Sequence, residues 1–183
     1  MRERTIALVV GGPGSGKSTL AKALLAGARR RKERVAIVDP ARQFPGGVMP
    51  DDVDAWLSER KAARDVQLIV LDDADAYVPT TLKAGSALRD LALRNRWWGV
   101  DVIITARRVQ SLPPLLMSAV HHLYVFRLSP ADKAGRERLV QVAGDELDIP
   151  SEAHRFVYCD VFAGRKIAGK TLKSGGYQWQ ATP

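Results

Sequence analysis

Short apolar runs alternate along this chain with longer stretches in which apolar and polar residues recur at helical spacing. The apolar runs predict buried strands at Ile6–Val10, Val35–Val38, 66–71, 100–105 and 123–128. The stretches between them predict helices at 19–31, 51–64, 80–96 and 115–121. Strands that alternate with helices indicate an α/β fold, in which a mainly parallel central sheet is flanked by helices on both faces.

The C-terminal part of the chain has a different pattern. A basic helix is predicted at 129–143, before two further apolar runs. These runs, at 156–162 and 165–172, flank the pair Ala163-Gly164, which favours a tight turn. A short basic hairpin is therefore expected to follow the alternating part of the fold.

The length of 183 residues fits one domain with a substantial hydrophobic core. We expect that domain to span 1–173, with its core at about 1–128 and the helix and hairpin at 129–173. The last residues, 174–183, are expected to form a flexible tail unless a partner orders them.

A glycine-rich stretch follows the first predicted strand and precedes the first predicted helix. Its sequence, GGPGSGKS from Gly11 to Ser18, fits the phosphate-loop pattern G-x-x-x-x-G-K-[ST] at every position. Glycines let the backbone turn its N–H groups toward an anion at the start of a helix. Lys17 is expected to contact the terminal phosphates and the Ser18 hydroxyl to bind Mg²⁺. The pattern predicts a site for ATP, with GTP as the alternative, formed by Gly12, Pro13, Gly14, Ser15, Gly16, Lys17, Ser18 and Thr19.

Two adjacent carboxylates follow the apolar run at 66–71. Like charges side by side at the end of a buried strand repel each other, and a divalent cation relieves that repulsion. Asp72 is therefore expected to hold magnesium and Asp73 to orient and deprotonate the attacking water. The alternative is an exposed acidic turn that continues to Asp75.

The chain carries a net charge of +8, from 28 basic and 20 acidic side chains. This balance favours polyanionic partners such as nucleic acid, although a basic surface without such a partner is a common alternative. The bias is strongest near the C-terminus, where no acidic residue follows Asp160 while Arg165, Lys166, Lys170 and Lys173 do.

Cysteine content and hydropathy exclude several other classes of protein. Cys159 is the only cysteine, so neither an internal disulfide nor a cysteine-based zinc site is available. No apolar run approaches the roughly 18 to 20 residues that a membrane span needs. We expect no membrane association and a cytoplasmic location, which for a viral protein means the host cytoplasm or the virion.

The phosphate loop alone also resembles that of nucleoside monophosphate kinases. Those enzymes need a lid that carries arginines and a pocket for the phosphate acceptor, and no arginine-rich lid stands out in this sequence. Asp72 and Asp73 instead supply a candidate magnesium ligand and a candidate water activator. Hydrolysis therefore fits the residues better than transfer.

The order of motifs resembles the FtsK–HerA superfamily of DNA-translocating ATPases, in particular its small viral members that package genomes. The resemblance covers roughly residues 6–128. It rests on Val38-Asp39-Pro40, Asp72-Asp73-Ala74-Asp75, Arg96-Trp97-Trp98-Gly99, Val102-Ile103-Ile104-Thr105 and Phe126-Arg127-Leu128, in that order. The resemblance implies a RecA-like P-loop domain that assembles as a ring, by analogy a hexamer, and moves double-stranded DNA.

The same resemblance implies roles for two further residues. Arg96 becomes the candidate arginine finger, inserted into the site of the neighbouring subunit, and Thr105 becomes a candidate sensor of the γ-phosphate. Two positions depart from the family: Asp73 stands where glutamate is usual, and Ala106 stands where glutamine is usual. A solvated arginine on a basic helix end is the alternative for Arg96.

A DNA motor also needs basic loops that contact phosphates without reading sequence. The candidates are Lys83, in a polar glycine-containing stretch after the carboxylate pair, and Arg107 and Arg108, just beyond Thr105. The basic hairpin is a further candidate, either for DNA or for a docking partner such as a capsid. The rival interpretations are a nucleotide or small-molecule kinase and a non-motor ATP-dependent switch protein.

Overall fold

The centre of the computed structural model is an eight-stranded sheet with strand order β2-β3-β4-β1-β5-β6-β7-β8. The structure describes residues 3–144, 147–172 and 174–180. The first five strands pair in parallel, as the alternation of strands and helices predicted. They are β1 (Ile6–Val10), β2 (Val35–Val38), β3 (Leu68–Leu71), β4 (Asp101–Ala106) and β5 (His122–Phe126).

The helices connect these strands and cover both faces of the sheet. They are α1 (Lys17–Arg30), α2 (Val53–Ala63), α3 (Ala87–Trp98), α4 (Pro114–Ser118) and α5 (Lys133–Ala143). Alternate residues of a strand point to opposite faces, so the sheet borders two separate apolar clusters. Leu8 and Ile104 pack with α2, α3, α4 and α5, whereas Val9 and Ile103 pack with α1. In the described part of the chain, no helix is both long and apolar enough to cross a bilayer.

The predicted helix at 80–96 was wrong over its first part, because α3 begins at Ala87. Gly85 adopts a left-handed φ of 80°, and the Ser86 side chain caps the helix by accepting from the Arg89 N–H. The N–H groups of Ala87 and Leu88, the first two residues of α3, donate to the Asp54 carboxylate of α2 at 3.0 and 2.8 Å. These caps satisfy donors that a helix start leaves unpaired, and residues 80–86 remain an irregular loop.

The predicted C-terminal hairpin is confirmed. Strand β6 (Arg155–Asp160) pairs antiparallel with β5 and with β7 (Arg165–Thr171), and Gly164 takes a left-handed φ of 64° in the turn between β6 and β7. The hairpin thus extends the parallel sheet on the side of β5, on the edge away from β2.

The expectation of a flexible tail was wrong for Tyr177–Trp179, which form strand β8 against β7. The physical reason is an aromatic cluster: the rings of Tyr177 and Trp179 lie 6.3 and 5.7 Å from that of Phe156, centroid to centroid. Trp179 also contacts Tyr158, at 5.3 Å between ring centroids. Lys173 and residues 181–183 lie outside the described residues.

The aromatic cluster gives a test of packing in this part of the sheet. Gly169 lies opposite Phe156 in the β6–β7 ladder, and a Cβ there would overlap the Phe156 ring, whose Cε2 would be only 2.8 Å away. Because Phe156 is fully buried, its ring cannot move aside freely. We expect Gly169→Ala to lower the free energy of unfolding by about 1–3 kcal/mol, measured by urea denaturation.

Gly27 provides the matched control, because a Cβ there would meet its nearest neighbour at an ordinary 3.6 Å, inside helix α1. Gly27→Ala should leave stability unchanged or raise it by about 0.5–1 kcal/mol. Equal stability of the Gly169→Ala variant and the unchanged protein would contradict the packing described for β6–β8.

Candidate nucleotide-binding and hydrolysis site

The phosphate loop runs from the end of β1 into the start of α1, as the sequence predicted. Gly14 and Gly16 have φ angles of 67° and 109°, a region that side chains with a Cβ rarely adopt. A Cβ on Gly11 would lie 2.6 Å from the Cβ of Phe126, and one on Gly16 would lie 2.8 Å from Thr171 Oγ1. The loop is therefore seated tightly against β5 and the end of β7, and its shape depends on glycine.

Lys17 begins helix α1 with its side chain folded back over the loop. Its Nζ donates to the carbonyl oxygen of Gly12 at 3.2 Å, and the residue is buried. Burial lowers the pKa of Lys17, while the nearby charge of Asp73 acts in the opposite direction. Ser18 and Thr19 follow in the first turn, where helix geometry leaves N–H groups without intrahelical partners. These donors and the ammonium group can together bind phosphate.

Asp72 directly follows β3 and has a buried carboxylate. Its Oδ1 accepts from the Thr105 hydroxyl at 2.7 Å, whereas its buried Oδ2 has no hydrogen-bond partner among the described residues. Burial raises the pKa of Asp72. The hydrogen bond from Thr105 and the positive charge of Lys17 both act to lower it. An unpaired buried oxygen close to the loop is what a cation ligand requires. Asp72 and the Ser18 hydroxyl are hard oxygen donors that fit Mg²⁺.

Thr105 joins the two adjacent aspartates. Besides donating to Asp72, its Oγ1 accepts from the backbone N–H of Asp73 at 2.8 Å. Asp73 has left-handed backbone angles, φ 45° and ψ 45°, which cost about 1 kcal/mol or more for a residue with a Cβ. The Thr105 hydroxyl thus holds the backbone turn at Asp73. The predicted γ-phosphate sensor contacts the aspartates directly in this structure.

Arg107 was predicted to contact DNA, but its side chain lies in the nucleotide site. Its guanidinium forms a forked ion pair with Asp73: Nε donates to Oδ1 at 3.2 Å, and a terminal nitrogen donates to Oδ2. The backbone N–H groups of Arg107 and Arg108 both donate to Asp75, at 2.9 and 3.1 Å. The chain after β4 is therefore tied to the turn after β3. The Arg108 and Lys83 side chains are exposed, as contact with DNA would require.

The phosphate loop, Asp73 and Arg107 line a cavity of about 410 Å³. Its lining comprises the phosphate loop and first helical turn, Pro13 to Thr19, together with Gln43, Asp73, Arg107 and His154. Sequence reasoning missed Gln43, Arg107 and His154 as site residues. The backbone N–H of His154 donates to the carbonyl oxygen of Ser15 at 2.8 Å. The ring Nδ1 of His154 lies 3.0 Å from Thr171 Oγ1. No local motif marks His154, because only the return of β6 along β5 brings it to the loop.

Arg96, the predicted arginine finger, lies near the amino ends of the parallel strands, whereas the phosphate loop lies at their carboxyl ends. It lies in the last turn of α3, which ends at Trp98, and pairs with Glu3 at 2.5 Å and with His121 Nε2 at 3.4 Å. The neighbouring Trp97 is 89% exposed. Arg96 is therefore directed away from the site of its own subunit, and a role in catalysis requires the site of another.

Sequence comparison identifies the family. A profile of the ATPase family associated with various cellular activities (AAA) matches residues 7–128, which include the phosphate loop, both aspartates and Thr105. The chain belongs to the AAA family of ATPases. Family membership and the phosphate-loop fold agree with a site that binds ATP and hydrolyses it.

Solved structures support the same fold. This AAA ATPase matches the DNA-packaging ATPase B204 of Sulfolobus turreted icosahedral virus with a TM-score of 0.74 and 16% identity, over 92% of this chain and 98% of that one. The genome packaging NTPase B204 of Sulfolobus turreted icosahedral virus 2, in complex with AMPPCP, matches with a TM-score of 0.73 and 17% identity over the same shares. The predicted resemblance to small viral packaging ATPases is thereby confirmed for the fold.

A curated relative comes from another virus. Uncharacterized protein 015R of Frog virus 3 (isolate Goorha) is 31% identical in an alignment of length 140 that covers 66% of this chain and 43% of that protein. The chain thus spans less than half the length of this relative.

The two hydrogen bonds of Thr105 predict a clear mutational effect. Thr105→Val keeps the shape of the side chain but leaves Asp72 without its donor and the Asp73 N–H without its acceptor. We expect the free energy of unfolding to fall by about 1–3 kcal/mol. ATP turnover should fall about 10- to 100-fold, because Asp73 is no longer held in place.

Thr105→Ser, which retains the hydroxyl, is the control and should keep most of both properties. The measurements are urea denaturation and steady-state ATP hydrolysis. If the valine variant hydrolysed ATP as fast as the serine variant, Thr105 would have no part in positioning the aspartates.

Proposed function

We propose that this chain is an ATP-hydrolysing motor that assembles as a ring, with a hexamer expected, and translocates double-stranded DNA, with genome packaging as its work. The observation that carries the proposal is the placement of Arg96. This arginine lies at the sheet edge opposite its own phosphate loop, next to the exposed indole of Trp97. Arginine and exposed aromatic residues together are typical of protein interfaces. A ring would bring this surface of one subunit to the nucleotide of the next.

The residues of the site divide the chemistry between them. Lys17 and the N–H groups of the phosphate loop offset the charge of the phosphates. Asp73 orients the attacking water, once its carboxylate is free to accept a hydrogen bond. Mg²⁺, when bound by Ser18 and Asp72, supplies further positive charge at the phosphates. Arg96 of the neighbouring subunit offsets the charge that builds up during transfer.

The path from hydrolysis to DNA runs through the turn after β3. Asp73 leads into a 3₁₀ turn at Ala74–Ala76, and the loop at 80–86 with exposed Lys83 follows. Arg108 is tied to the same turn through Asp75. A shift of Asp73 between nucleotide states would therefore move both basic side chains. Contacts of this kind bind phosphates without reading sequence, as a translocating motor needs.

The C-terminal hairpin offers a second basic surface. Arg165 and Lys170 are exposed on β7, and the net charge of the whole chain is +8. This surface suits either the DNA backbone or an acidic docking partner such as a capsid protein.

Mixing two inactive variants tests whether neighbouring subunits share the site. Arg96→Ala is expected to lower ATP turnover on the order of 10³-fold, and Lys17→Ala should abolish it because the phosphates lose their lysine. In a mixed ring, Arg96 of a Lys17→Ala subunit can serve the intact phosphate loop of an Arg96→Ala subunit. Mixtures should therefore regain turnover that neither variant shows alone, with a maximum near equal proportions.

Arg94→Ala is the control, because Arg94 is an exposed arginine on the same helix whose ion pair, with Asp90, stays within that helix. It should hydrolyse ATP at nearly the normal rate. Absence of any recovery in the mixtures, with both variants shown to assemble, would exclude a finger supplied by Arg96. Phosphoryl transfer to an added acceptor, without any response to DNA, would point to a kinase.

A further inference from the structure

The Arg107 side chain occupies a place that neither DNA contact nor simple solvation explains. It lines the same cavity as Lys17, Ser18 and Thr19, and its guanidinium pairs with Asp73. We propose that Arg107 binds the γ-phosphate of ATP in its own subunit and, in doing so, leaves Asp73 free to orient water. This inference rests on ATP hydrolysis at this site, and it does not require a ring or DNA.

The anchor of Arg107 is fixed while its guanidinium can move. The residue follows β4 directly, and its backbone N–H donates to Asp75 Oδ1 at 2.9 Å. The side chain itself is half exposed, whereas the Asp73 side chain is 13% exposed. Rotation about the side-chain bonds can therefore carry the guanidinium across the cavity without any movement of the sheet. The Asp73 carboxylate remains on its strained turn.

Carboxylate and phosphate compete for the same guanidinium. The planar fork of arginine donates two parallel hydrogen bonds equally well to either group. A triphosphate brings several negative charges into the cavity, where Lys17 is already turned toward the loop carbonyl of Gly12. The γ-phosphate is the part of ATP that ADP lacks. Arg107 lines the cavity beside Asp73, the residue expected to orient the attacking water.

Transfer of the Arg107 guanidinium from Asp73 to the γ-phosphate links ATP binding to the availability of the Asp73 carboxylate. While both carboxylate oxygens accept hydrogen bonds from Arg107, Asp73 is poorly placed to accept one from water. Departure of the guanidinium releases those oxygens at the moment the γ-phosphate is in place. The ion pair thus keeps the Asp73 carboxylate occupied, and binding of the triphosphate would remove that block.

Arg108 supplies an internal comparison. Its backbone N–H is held by the other oxygen of Asp75, at 3.1 Å, so the two arginines share one anchor. Its side chain is exposed, and it is not among the residues that line the cavity. The sequence alone assigns the two neighbours the same role, whereas the fold separates them.

The test compares affinities for ATPγS and ADP, each with Mg²⁺, by displacement of a fluorescent nucleotide. We expect Arg107→Ala to lose about 10- to 100-fold of its affinity for ATPγS, as expected for a lost charge-assisted hydrogen bond. Its affinity for ADP should change by less than about threefold, since ADP lacks the group that Arg107 binds. Arg108→Ala should match the unchanged protein for both nucleotides. Arg107→Gln, which can still bond to Asp73 without carrying charge, should behave like Arg107→Ala and serves if the alanine variant does not fold.

Two results would overturn the inference. If Arg107→Ala kept its preference for ATPγS over ADP but hydrolysed ATP slowly, Arg107 would only position Asp73. If it kept that preference and lost stimulation by DNA, Arg107 would be the DNA contact first expected. A protein that prefers ATPγS through Arg107 yet ignores DNA would instead contradict the proposed motor and leave this inference standing.

Discussion

Parallel pairing of β4 with both β1 and β3 brings the carboxyl ends of three strands to one edge of the sheet. The phosphate loop follows β1, the aspartate pair follows β3, and Thr105 is the penultimate residue of β4. The Thr105 hydroxyl then links the ends of β3 and β4, because it forms hydrogen bonds with both aspartates. Without this alignment, Lys17, Asp72 and Asp73 would be separate charges on separate loops.

The alignment places unfavourable charges and backbone angles at a single edge. Lys17 and Asp72 are buried, and Asp73 adopts left-handed backbone angles. Such groups cost free energy, and bound phosphate and cation would offset that cost. Nucleotide binding should accordingly stabilise the fold, since a ligand that binds only the folded state shifts unfolding by mass action. The apolar clusters on the two faces of the sheet supply the stability that this edge lacks.

Much of the parallel sheet and of the phosphate loop could be predicted, because each depends on local patterns. Buried strands produce continuous apolar runs, and the loop chemistry restricts residue types at fixed spacing. The strand β8 could not be predicted in this way, since Tyr177 and Trp179 follow two glycines and find their partners only in the folded aromatic cluster. Arg107 and His154 were missed for a related reason. Arg107 meets Asp73 through a left-handed turn, and His154 reaches the loop through the antiparallel return of β6.

The central claim, that ATP hydrolysis at this edge moves the protein along double-stranded DNA, is tested most directly by displacement of a third strand. A fluorescent oligonucleotide is bound as a triplex at one end of a linear duplex, and its release is followed after addition of protein and ATP with Mg²⁺. We expect release to require ATP and to be absent with the Lys17→Ala variant. The lag before release should grow with the length of duplex ahead of the triplex. ATP hydrolysis that is stimulated by DNA but never displaces the third strand would contradict the account.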